Sequence, residues 1–446
     1  MHDLCINENL KVVLFNSPIY RNQHDDGETY LPPLGQGYIV TNLKKHGIAA
    51  MLIDCVYEHL SVPMIIDIIN RGTFFYIGFN IFSVNLLLVK EILTQINRNV
   101  HIFLGGKAIE YLWREILKWN INYPITFIIG EGENIFPALI LQKCKEPPIF
   151  DNGLHKVYLV NKDSYYYPFD LNCVNLDRTL FKHREILNRH GRYEACLIAS
   201  RGCIYDCTFC GGAVSANPNI TVRIRGYDSL VSEINDIIRI SPRVSSIRIL
   251  DDLFLRNRES IIDACKLFSS FPHLHWRCMA HINTFLNNVD LIPNMKNSGC
   301  DEVFIGIESG SPEIRLSIHK LGTIQNVIDV VRGLLAGGIH VKGYFMCGFP
   351  DETENQLRET LNLAHTLHNI AMSTPGCFRP VVFQFRPYHG TKLFNQLFQA
   401  GVDISYNRQK YLTSSKEQYN FSAGNFSKVS DEVLEEYIHQ IDQLNE

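Results

Sequence analysis

The sequence lacks long hydrophobic runs and a marked excess of charge of either sign. No apolar stretch reaches the ~18 to 20 residues that a membrane-spanning helix needs, and the N-terminus shows no basic region followed by an apolar core and a cleavage site. The formal net charge of −4 gives no electrostatic reason to expect nucleic acid binding. We therefore expect a cytoplasmic protein that binds neither membranes nor nucleic acids.

Internal repeats, low-complexity tracts and a G-x-G-x-x-G motif after the first apolar run are also missing. These absences argue against a solenoid fold and against dinucleotide binding. The chain does have the size and composition of a globular protein, with 446 residues, of which 46% are hydrophobic and 20% charged. At about 150 residues per domain, it has room for two domains and a linker.

The 13 cysteines are odd in number and scattered, apart from Cys203, Cys207 and Cys210. Such a set favours free thiols in a reducing compartment. The three grouped cysteines follow the apolar run Cys196–Ala199, which predicts a buried strand, and the segment Ser200–Gly202, which predicts a turn. The grouped cysteines are therefore expected in a loop at the carboxyl end of a strand.

Three thiolates within one loop favour an iron–sulfur cluster, because cysteine sulfur is the usual ligand of such clusters. Three protein ligands on a four-iron cube leave one iron open to a substrate-like molecule. A structural zinc site is one alternative, but zinc knuckles have paired C-x2-C elements and a fourth ligand at knuckle spacing, and neither follows here. Three ordinary buried thiols are the other alternative.

At these residues the sequence resembles the radical S-adenosylmethionine (SAM) superfamily, whose signature is C-x3-C-x-aromatic-C, with Phe209 at the aromatic position. The resemblance implies that Cys203, Cys207 and Cys210 bind a 4Fe–4S cluster, whose open iron chelates the amino and carboxylate groups of SAM. One electron from the cluster then cleaves SAM to methionine and a 5'-deoxyadenosyl radical. That radical takes a hydrogen atom from an unactivated C–H bond.

After the cysteine strand, five more apolar runs alternate with helical patterns such as Ser229–Ile240, Ile324–Leu335 and Glu354–Leu367. Six strand–helix units are two fewer than a closed eightfold barrel contains, and they match the open partial barrel of the radical SAM family. Active sites of such barrels lie at the carboxyl ends of the strands. The five runs are Ser246–Leu250, His275–Met279, Glu302–Ile307, His340–Met346 and Val381–Phe385.

Polar residues follow several of these strands. Asp251 and Asp252 are either solvated or capping acids, or contacts for the SAM ammonium group or the substrate. Glu308 closes an apolar strand and would be costly to bury without a donor, and by resemblance it contacts the ribose or amino group of SAM. The predicted SAM- and cluster-binding residues are Phe209, Gly211, Gly212, Asp251, Glu308, Ser309, and, in the loop beside adenine, Gly348 and Pro350.

The segment Arg386–Gly390 follows the sixth strand and resembles the R-P-x-P-G-T segment of cobalamin-type members, with His389 in place of the usual proline. A loop histidine is commonly a solvated turn residue, but imidazole suits acid–base chemistry near neutral pH. We predict Asp252, Tyr388 and His389 as the catalytic or substrate-site candidates.

To about residue 145, five other apolar runs alternate with amphipathic segments such as Tyr38–His46 and Leu87–Ile96. Because parallel neighbours need crossover helices, this alternation predicts a doubly wound parallel sheet. Ligands of such sheets bind outside the carboxyl ends of the strands. The five runs are Lys11–Phe15, Met51–Ile53, Phe74–Phe79, His101–Leu104 and Thr126–Ile129.

Glycine- and proline-rich loops follow these strands, and the glycines either form turns or let the backbone approach a large flat ligand or phosphates. As a set, the loops resemble the Rossmann-like cobalamin-binding domain found ahead of many radical SAM domains, with its P-P-L-G-x-G-Y, G-G and G-E-G-E segments. The D-x-H-x-x-G motif that supplies a cobalt ligand in cobalamin-dependent mutases is absent, so the resemblance names no lower ligand. The predicted cobalamin contacts are Pro33, Gly35, Gly37, Gly105, Gly106, Gly130 and Gly132.

The predicted organisation is a cobalamin-binding-type domain at residues 1–145, a linker at 146–190, a radical SAM partial barrel at 191–395 and a C-terminal helical cap at 396–446. Within the linker, turn residues around Lys156–Val160 and Tyr165–Tyr167 suggest a small hairpin. Within the cap, Ser430–Leu444 is helix-like and Lys416–Ser427 is polar.

Together the two resemblances imply a radical SAM enzyme, with methylation of an unactivated carbon of a small molecule or natural-product intermediate as the leading function. One SAM would methylate cobalamin, and a second would give the radical that prepares the substrate to take the methyl group. The alternative is a radical dehydratase, dehydrogenase or epimerase acting on a sugar or aminoglycoside, and a third is a non-catalytic iron–sulfur scaffold. Either enzyme would need a reducing partner such as flavodoxin or ferredoxin.

Overall fold

The computed structural model describes residues 11–17, 30–404 and 424–445. They form two compact units, one from the described residues up to Arg184 and the other from Glu185 onward. Each unit has its own central sheet and its own buried core. In these ranges no helix combines the length and the apolar character that crossing a membrane requires.

The first unit is a seven-stranded sheet with helices. Its strands are β1 (Val12–Asn16), β2 (Ala50–Asp54), β3 (Tyr76–Asn80), β4 (His101–Gly105), β5 (Ile125–Gly130), β6 (Phe150–Asp151) and β7 (His155–Val160). Its helices are α1 (Leu34–Lys45), α2 (Val62–Arg71), α3 (Leu86–Thr94), α4 (Ile109–Ile116) and α5 (Ile135–Ile140). The strand order is β2-β1-β3-β4-β5-β7-β6, and all neighbouring strands are parallel except β6 and β7. The doubly wound parallel sheet that the sequence predicts is confirmed.

The first strand shows why the apolar runs are continuous. Val12, Val13, Leu14 and Phe15 are each at most 3% exposed, since helices cover both faces of a sheet of this kind. The order of the strands reverses between β1 and β3. This reversal makes the carboxyl ends of β1 and β3 the expected ligand-binding crevice of the unit.

The second unit contains nine strands and nine helices among its described residues. The strands are β8 (Ile186–Leu187), β9 (Tyr193–Leu197), β10 (Ser200–Arg201), β11 (Arg223–Ile224), β12 (Val244–Ile249), β13 (His275–Ala280), β14 (Cys300–Glu308), β15 (His340–Cys347) and β16 (Phe378–Gln384). The helices are α6 (Tyr227–Ile240), α7 (Arg258–Ser269), α8 (Ile282–Phe285), α9 (Ile292–Asn297), α10 (Pro312–Ser317), α11 (Ile324–Ala336), α12 (Glu354–Ala371), α13 (Lys392–Gln399) and α14 (Asp431–Asp442).

Seven of these strands form a curled half-barrel in the order β16-β15-β14-β13-β12-β9-β8, in which the six strands from β16 to β9 are parallel and β8 is antiparallel at one edge. The predicted six-stranded partial barrel is confirmed. Alternate strand residues such as Ile247, Val303 and Val341 pack with the helices in an outer core. The residues between them face the inside of the half-barrel.

One expectation about the ends of the domains changes, and another is met. Lys156–Val160 does form β7, but the prediction that Tyr165–Tyr167 pairs with it is wrong, because β7 joins β5 and β6 instead. The hydroxyl of Tyr166 accepts a hydrogen bond from the amide of Lys145, 2.9 Å away, which holds this segment off the sheet. The predicted C-terminal helix is α14, which buries Leu434 in the outer core. Most of the predicted polar stretch, residues 416–423, lies outside the described residues.

Gly35 and Gly37 lie in the first turn of α1 and not in a loop, because the helix begins directly after Pro33. A Cβ on Gly37 would lie 2.7 Å from Phe181 Cζ and 2.9 Å from Leu176 Cδ1, whereas a Cβ on Gly35 would meet nothing within 4 Å. Packing within the unit therefore requires glycine at position 37. It does not require glycine at position 35.

The substitution Gly37→Ala is expected to lower the free energy of unfolding by about 1 to 3 kcal/mol, because the added methyl overpacks the contact with Phe181. Gly35→Ala is the matched control in the same helical turn and should leave stability unchanged or raise it by up to about 1 kcal/mol through helix propensity. Urea unfolding of the cofactor-free protein measures both. Equal destabilisation by the two substitutions would contradict the packing argument.

Candidate active site

The cysteine loop follows β9 and is held by segments from two distant parts of the half-barrel. The amide of Thr208 donates to the carbonyl of Ile318, 3.1 Å away at the end of α10, and the amide of Leu393 donates to the carbonyl of Thr208 at 3.0 Å. Lys392 at the start of α13 forms an ion pair with Asp206 at 2.5 Å. The loop therefore takes its position from the segments that follow β14 and β16.

The three thiols of the loop are partly buried. Burial raises the pKa of Cys203, Cys207 and Cys210, the last to about 12, so that binding a metal must displace their protons. The amide of Tyr205 points at Cys203 Sγ from 3.5 Å, and the amide of Gly212 points at Cys210 Sγ from 3.3 Å. Amide donors of this kind stabilise a thiolate and tune an iron–sulfur cluster.

This donor set fits a cluster better than a single ion. In residues 11–17, 30–404 and 424–445, no three His, Cys, Asp or Glu side chains are grouped so that they could hold one metal ion. A structural zinc ion needs such convergence. The thiols of a cluster bind different irons, and cysteine thiolates with amide donors to sulfur are the groups that such a cluster uses, so the chemistry of the loop fits an iron–sulfur cluster.

The sequence analysis expected a buried Glu308 to need a donor but did not identify it. The structure shows that the donor is Lys320. Lys320 Nζ lies 3.0 Å from Glu308 Oε1, and both side chains are at most 10% exposed. A Cβ on Gly306 would lie 2.3 Å from Glu308 Oε1, so only glycine leaves room for the pair on the inner side of β14. The lysine charge also lowers the pKa of Cys203 and Cys207 against the effect of burial. An inward glycine two residues before Glu308 was the available signal.

The two aspartates after β12 have different environments. Asp252 is exposed and its carboxyl carbon lies 3.4 Å from the Cβ position of Gly212, beside the cysteine loop. Asp251 is buried and accepts hydrogen bonds from the amide of Ala199 at 2.8 Å and from Ser200 Oγ at 2.6 Å. Burial raises the pKa of Asp251 to about 6. Asp251 therefore stabilises the end of β9 through these hydrogen bonds, whereas the sequence analysis predicted that it contacts SAM.

Ser309 also differs from the expectation. Its side chain is fully buried, and its Oγ lies 3.0 Å from Thr360 Oγ1 on α12 and accepts a hydrogen bond from the amide of Ser311. The hydroxyl therefore links the end of β14 to the helical layer. The structure supports a structural role for this side chain and not the predicted contact with SAM.

The loop after β15 turns on Gly348, whose φ is +87°. Glu352 Oε2 accepts hydrogen bonds from the amides of Gly348 at 2.6 Å and Phe349 at 3.1 Å, and burial raises the Glu352 pKa from 4.5 to about 7. Phe349 packs edge-to-face with Phe209 at 5.8 Å, while Pro350 is half-buried. The predicted adenine loop thus contacts the aromatic residue of the cysteine motif, and Glu352 shapes it.

The segment after β16 contains the remaining catalytic candidates. The carbonyl of Tyr388 accepts a hydrogen bond from Thr391 Oγ1 at 2.8 Å, just before α13. His389 packs on Phe394 with ring centroids 4.4 Å apart. Burial lowers the pKa of His389 to about 4, so the imidazole is neutral at pH 7 and holds an added proton only weakly.

In the first unit, two of the predicted cobalamin contacts besides Gly37 are required by the fold itself. Gly106 and Gly130 have φ of +97° and +94°, and a Cβ on Gly130 would lie 2.1 Å from the Val160 carbonyl oxygen. Gly105 and Gly132 meet other atoms at ordinary contact distances of 3.5 to 4.0 Å. Among the predicted cobalamin contacts, Gly35, Gly105 and Gly132 therefore have free space beside their backbone that a flat ligand could use.

A polar cluster at the carboxyl ends of β1 and β2 was not predicted. Asp54 accepts hydrogen bonds from Asn16 Nδ2 at 2.8 Å and from the hydroxyl of Tyr30, and burial raises the Asp54 pKa. Tyr57 stacks on His183 with centroids 4.3 Å apart. An aspartate directly after an apolar run was the signal in the sequence, and the cluster borders the crevice where doubly wound sheets bind ligands.

A half-barrel with a three-cysteine loop, preceded in the chain by a doubly wound sheet, defines a radical SAM protein with a cobalamin-type domain. The sequence matches the Radical SAM superfamily over residues 197–364 and the B12 binding domain over residues 26–140. The chain therefore contains a radical SAM domain, with a B12 binding domain ahead of it. Its cofactors are a 4Fe–4S cluster and SAM in the one domain and cobalamin in the other.

Known proteins resemble the chain over most of its length. An uncharacterized methyltransferase of Pyrococcus horikoshii is 27% identical over 398 residues, which cover 86% of this chain and 82% of that protein. The cobalamin-dependent SAM radical enzyme OxsB superposes with a TM-score of 0.66 at 16% identity, covering 94% of this chain and 65% of OxsB. The radical SAM methyltransferase TsrM of Kitasatospora setae gives 0.63 at 14% identity, covering 90% and 77%. These superpositions show a shared fold.

The substitution Lys320→Met is expected to lower the free energy of unfolding by about 3 to 5 kcal/mol, because it leaves the Glu308 carboxylate buried without its cation. The double variant Glu308→Gln/Lys320→Met should recover most of that loss. Lys392→Met removes the partner of the much more exposed Asp206 and should cost at most about 1 kcal/mol. Urea unfolding measures all three, and a cost for Lys320→Met no larger than that for Lys392→Met would contradict the buried pair.

The pKa of Glu352 predicts a pH dependence of stability. Because the folded state holds the Glu352 proton more tightly than the unfolded chain does, the contribution of Glu352 to stability is greatest below pH 4.5 and falls until the pH passes about 7. That fall amounts to about 3 kcal/mol, and Asp251 acts in the same direction. Glu352→Gln keeps an acceptor for both amides and should flatten the slope between pH 5 and 8 in urea unfolding. A slope unchanged in this variant would exclude Glu352 as its source.

Proposed function

We propose that the protein is a cobalamin-dependent radical SAM methyltransferase that methylates an unactivated carbon of a small molecule or natural-product intermediate. The observation that carries the proposal is the presence of a radical SAM domain and a B12 binding domain in one chain. We also propose the order of domains expected from the sequence, a cobalamin-binding-type domain, a radical SAM barrel and a C-terminal cap. The first of these extends beyond the expected residue 145, because β6 and β7 join its sheet and the unit ends at Arg184. A reducing compartment such as the cytoplasm, and a flavodoxin or ferredoxin as reductant, complete the proposal.

Two curated relatives support methyl transfer by their descriptions. The Pyrococcus horikoshii protein, matched over 86% of this chain, is described as a methyltransferase. A bacteriochlorophyllide d C-12(1)-methyltransferase of Chlorobaculum tepidum is 26% identical over 45% of this chain.

The residues of the cysteine loop and its surroundings have separate proposed tasks. When bound, the cluster and SAM supply a 5'-deoxyadenosyl radical, and cobalamin carries the methyl group. Cys203, Cys207 and Cys210 hold the cluster. Glu308, kept in place by Lys320, holds the amino or ribose group of SAM.

Further contacts are proposed from the positions of the remaining candidates. Gly348 and Pro350 present their backbone to adenine, since Glu352 fixes the turn, and Gly211 and Gly212 leave space beside the cluster. Gly35, Gly105, Gly106, Gly130 and Gly132, with Pro33, are proposed to contact cobalamin in the first unit.

Acid–base work is proposed for the candidates at the carboxyl ends of β12 and β16. Asp252 is exposed beside the cysteine loop and can accept a proton or a substrate hydrogen bond. His389 is neutral at pH 7 and is proposed as a hydrogen-bond partner of the substrate, and Tyr388 precedes it in the same turn. These roles place proton transfer at the edge of the half-barrel where the cofactors are expected.

A second candidate is a radical reaction without methyl transfer, such as dehydration, dehydrogenation or epimerisation of a sugar or aminoglycoside. Two relatives favour it, because they are described as anaerobic magnesium-protoporphyrin IX monomethyl ester cyclases. That of Rubrivivax gelatinosus is 22% identical over 84% of this chain. The match shows that chains of this kind are not all described as methyltransferases.

Product analysis separates the candidates. The anaerobic holoprotein, reduced with dithionite, is incubated with SAM and a small-molecule metabolite extract. Methyl transfer should release S-adenosylhomocysteine together with 5'-deoxyadenosine, because the methyl group leaves one SAM while a second is cleaved. Formation of 5'-deoxyadenosine alone would favour the second candidate, and formation of neither would favour a non-catalytic scaffold.

The matched variants for this assay are Cys207→Ala and Cys377→Ala. Cys207→Ala should abolish formation of both products and the absorption of the cluster, because it removes one of three proposed iron ligands. Cys377 is an exposed cysteine outside the loop, and its substitution should leave both products and the absorption spectrum unchanged. Retention of the cluster in Cys207→Ala would contradict the assigned ligands.

A further inference from the structure

The inner face of the half-barrel carries a belt of charged side chains below the cofactor loops. These side chains alternate along the strands with residues of the outer core. Two of them are almost completely buried, since Arg277 is 0% and Glu302 is 1% exposed. This inner belt consists of Glu194 on β9, Arg248 on β12, Arg277 on β13, Glu302 on β14, Lys342 on β15 and Arg379 on β16. Four cations therefore face two carboxylates on the strands of this wall.

The two carboxylates of the inner belt are engaged by arginine. Arg277 donates to Glu302 Oε2 at 2.8 Å and through its Nε to Glu194 Oε2 at 2.7 Å, and Arg379 lies 3.6 Å from Glu302. Burial opposes ionisation of Glu302, but the His190 imidazole at 3.6 Å and the charges of both arginines hold the Glu302 pKa below its usual range. Both acids thus lie close to Arg277, and the belt as a whole has four cationic side chains and two acidic ones.

Three of the cations converge on one aromatic ring. The centroid of Phe304 lies 5.0 Å from Arg248 Cζ, 5.4 Å from Arg277 Cζ and 5.6 Å from Lys342 Nζ. The ring faces attract cations and partly offset their mutual repulsion. Like charges this close in a buried site remain unfavourable, and an anion bound among them would be stabilised by all three.

An aromatic band lies between the inner belt and the cofactor loops. Tyr344 follows Lys342 by two residues on β15, and its ring centroid is 6.5 Å from that of Phe304 and 5.9 Å from that of Phe383. Met346 continues the inner face toward Gly348, where the predicted adenine loop begins. Along β15 the inner surface is therefore cationic at Lys342 and aromatic at Tyr344, and it then reaches the end of the strand where the cofactors are expected.

We propose that the inner belt binds a carboxylate or phosphate group of the substrate, and that the aromatic band packs on an aromatic or apolar body next to it. Arg248 and Lys342 are the principal anion ligands, since guanidinium and ammonium groups give charge-assisted hydrogen bonds to such oxygens. The body of the substrate then extends toward the carboxyl ends of the strands, where the radical forms. This inference rests on the proposed function, because it names the substrate class of the same half-barrel.

Binding of small probes to the unreduced holoprotein tests the proposal without turnover. Cluster, SAM and cobalamin are all loaded, so that their own sites are filled. Benzoate and phenyl phosphate are compared with benzamide, a neutral molecule of nearly the same shape as benzoate, by isothermal titration calorimetry. At least one anion should bind about tenfold or more tightly than benzamide, and the tighter anion identifies carboxylate or phosphate as the group. Equal binding of benzamide, or no binding of either anion, would overturn the proposal.

Two lysines give a matched pair of variants. Lys342 and Lys266 each lie 5.1 Å from a tyrosine ring centroid, Lys342 at Tyr344 inside the half-barrel and Lys266 at Tyr227 on the outside. Lys342→Met should weaken anion binding about tenfold or more, whereas Lys266→Met should bind as the unaltered protein does. Equal binding by both variants would refute the assigned site.

Two further measurements protect the test against trivial outcomes. Circular dichroism melting checks that each variant is folded, and Arg248→Gln provides a second variant that should also weaken the anion. If a belt variant does not fold, the comparison of benzoate and phenyl phosphate with benzamide on the unaltered protein remains decisive. Because no reductant is present, a failed methyl transfer assay and a failed binding assay are separate results.

Discussion

The structure depends on the placement of one short loop at the carboxyl end of β9. Thiols in a loop would not by themselves keep a defined geometry, since ordering each residue costs conformational entropy. Here the loop is hydrogen-bonded to the residue after α10 and to the first turn of α13, and Asp251 fixes the strand that leads into it. The cofactor loop is therefore stable only when β9, β12, β14 and β16 have come together.

A second constraint is the division of the half-barrel strands into two faces. The outer face joins the helices in a continuous apolar core, which supplies the stabilising free energy of the unit. The inner face contributes little to that apolar core, so it can carry charged residues such as Arg248, Lys342 and the Glu308–Lys320 pair. Because side chains alternate along a strand, both faces are built by the same residues without conflict. Structural stability and ligand chemistry are thus kept on opposite sides of one sheet.

Much of the architecture could be predicted because it depends on local patterns. Apolar runs separated by helical patterns indicated five strands of the first sheet and all six parallel strands of the half-barrel, and the spacing of Cys203, Cys207 and Cys210 indicated the cluster. The role of Ser309 could not be predicted, because it depends on Thr360, 51 residues away on α12. The partner of Glu308 was missed for a related reason, since Lys320 comes back to β14 through the turn after α10.

The sequence by itself determined the fold class, the domain order and the three cysteines, since each is written in short-range spacing and periodicity. Only the tertiary structure decided which polar residues face the half-barrel interior and which form hydrogen bonds that stabilise the fold. Asp251 and Asp252 are adjacent in sequence, yet one is buried against β9 and the other is exposed beside the cysteine loop. The physical reason is that successive residues near a strand end point in opposite directions, so that neighbours meet different surroundings.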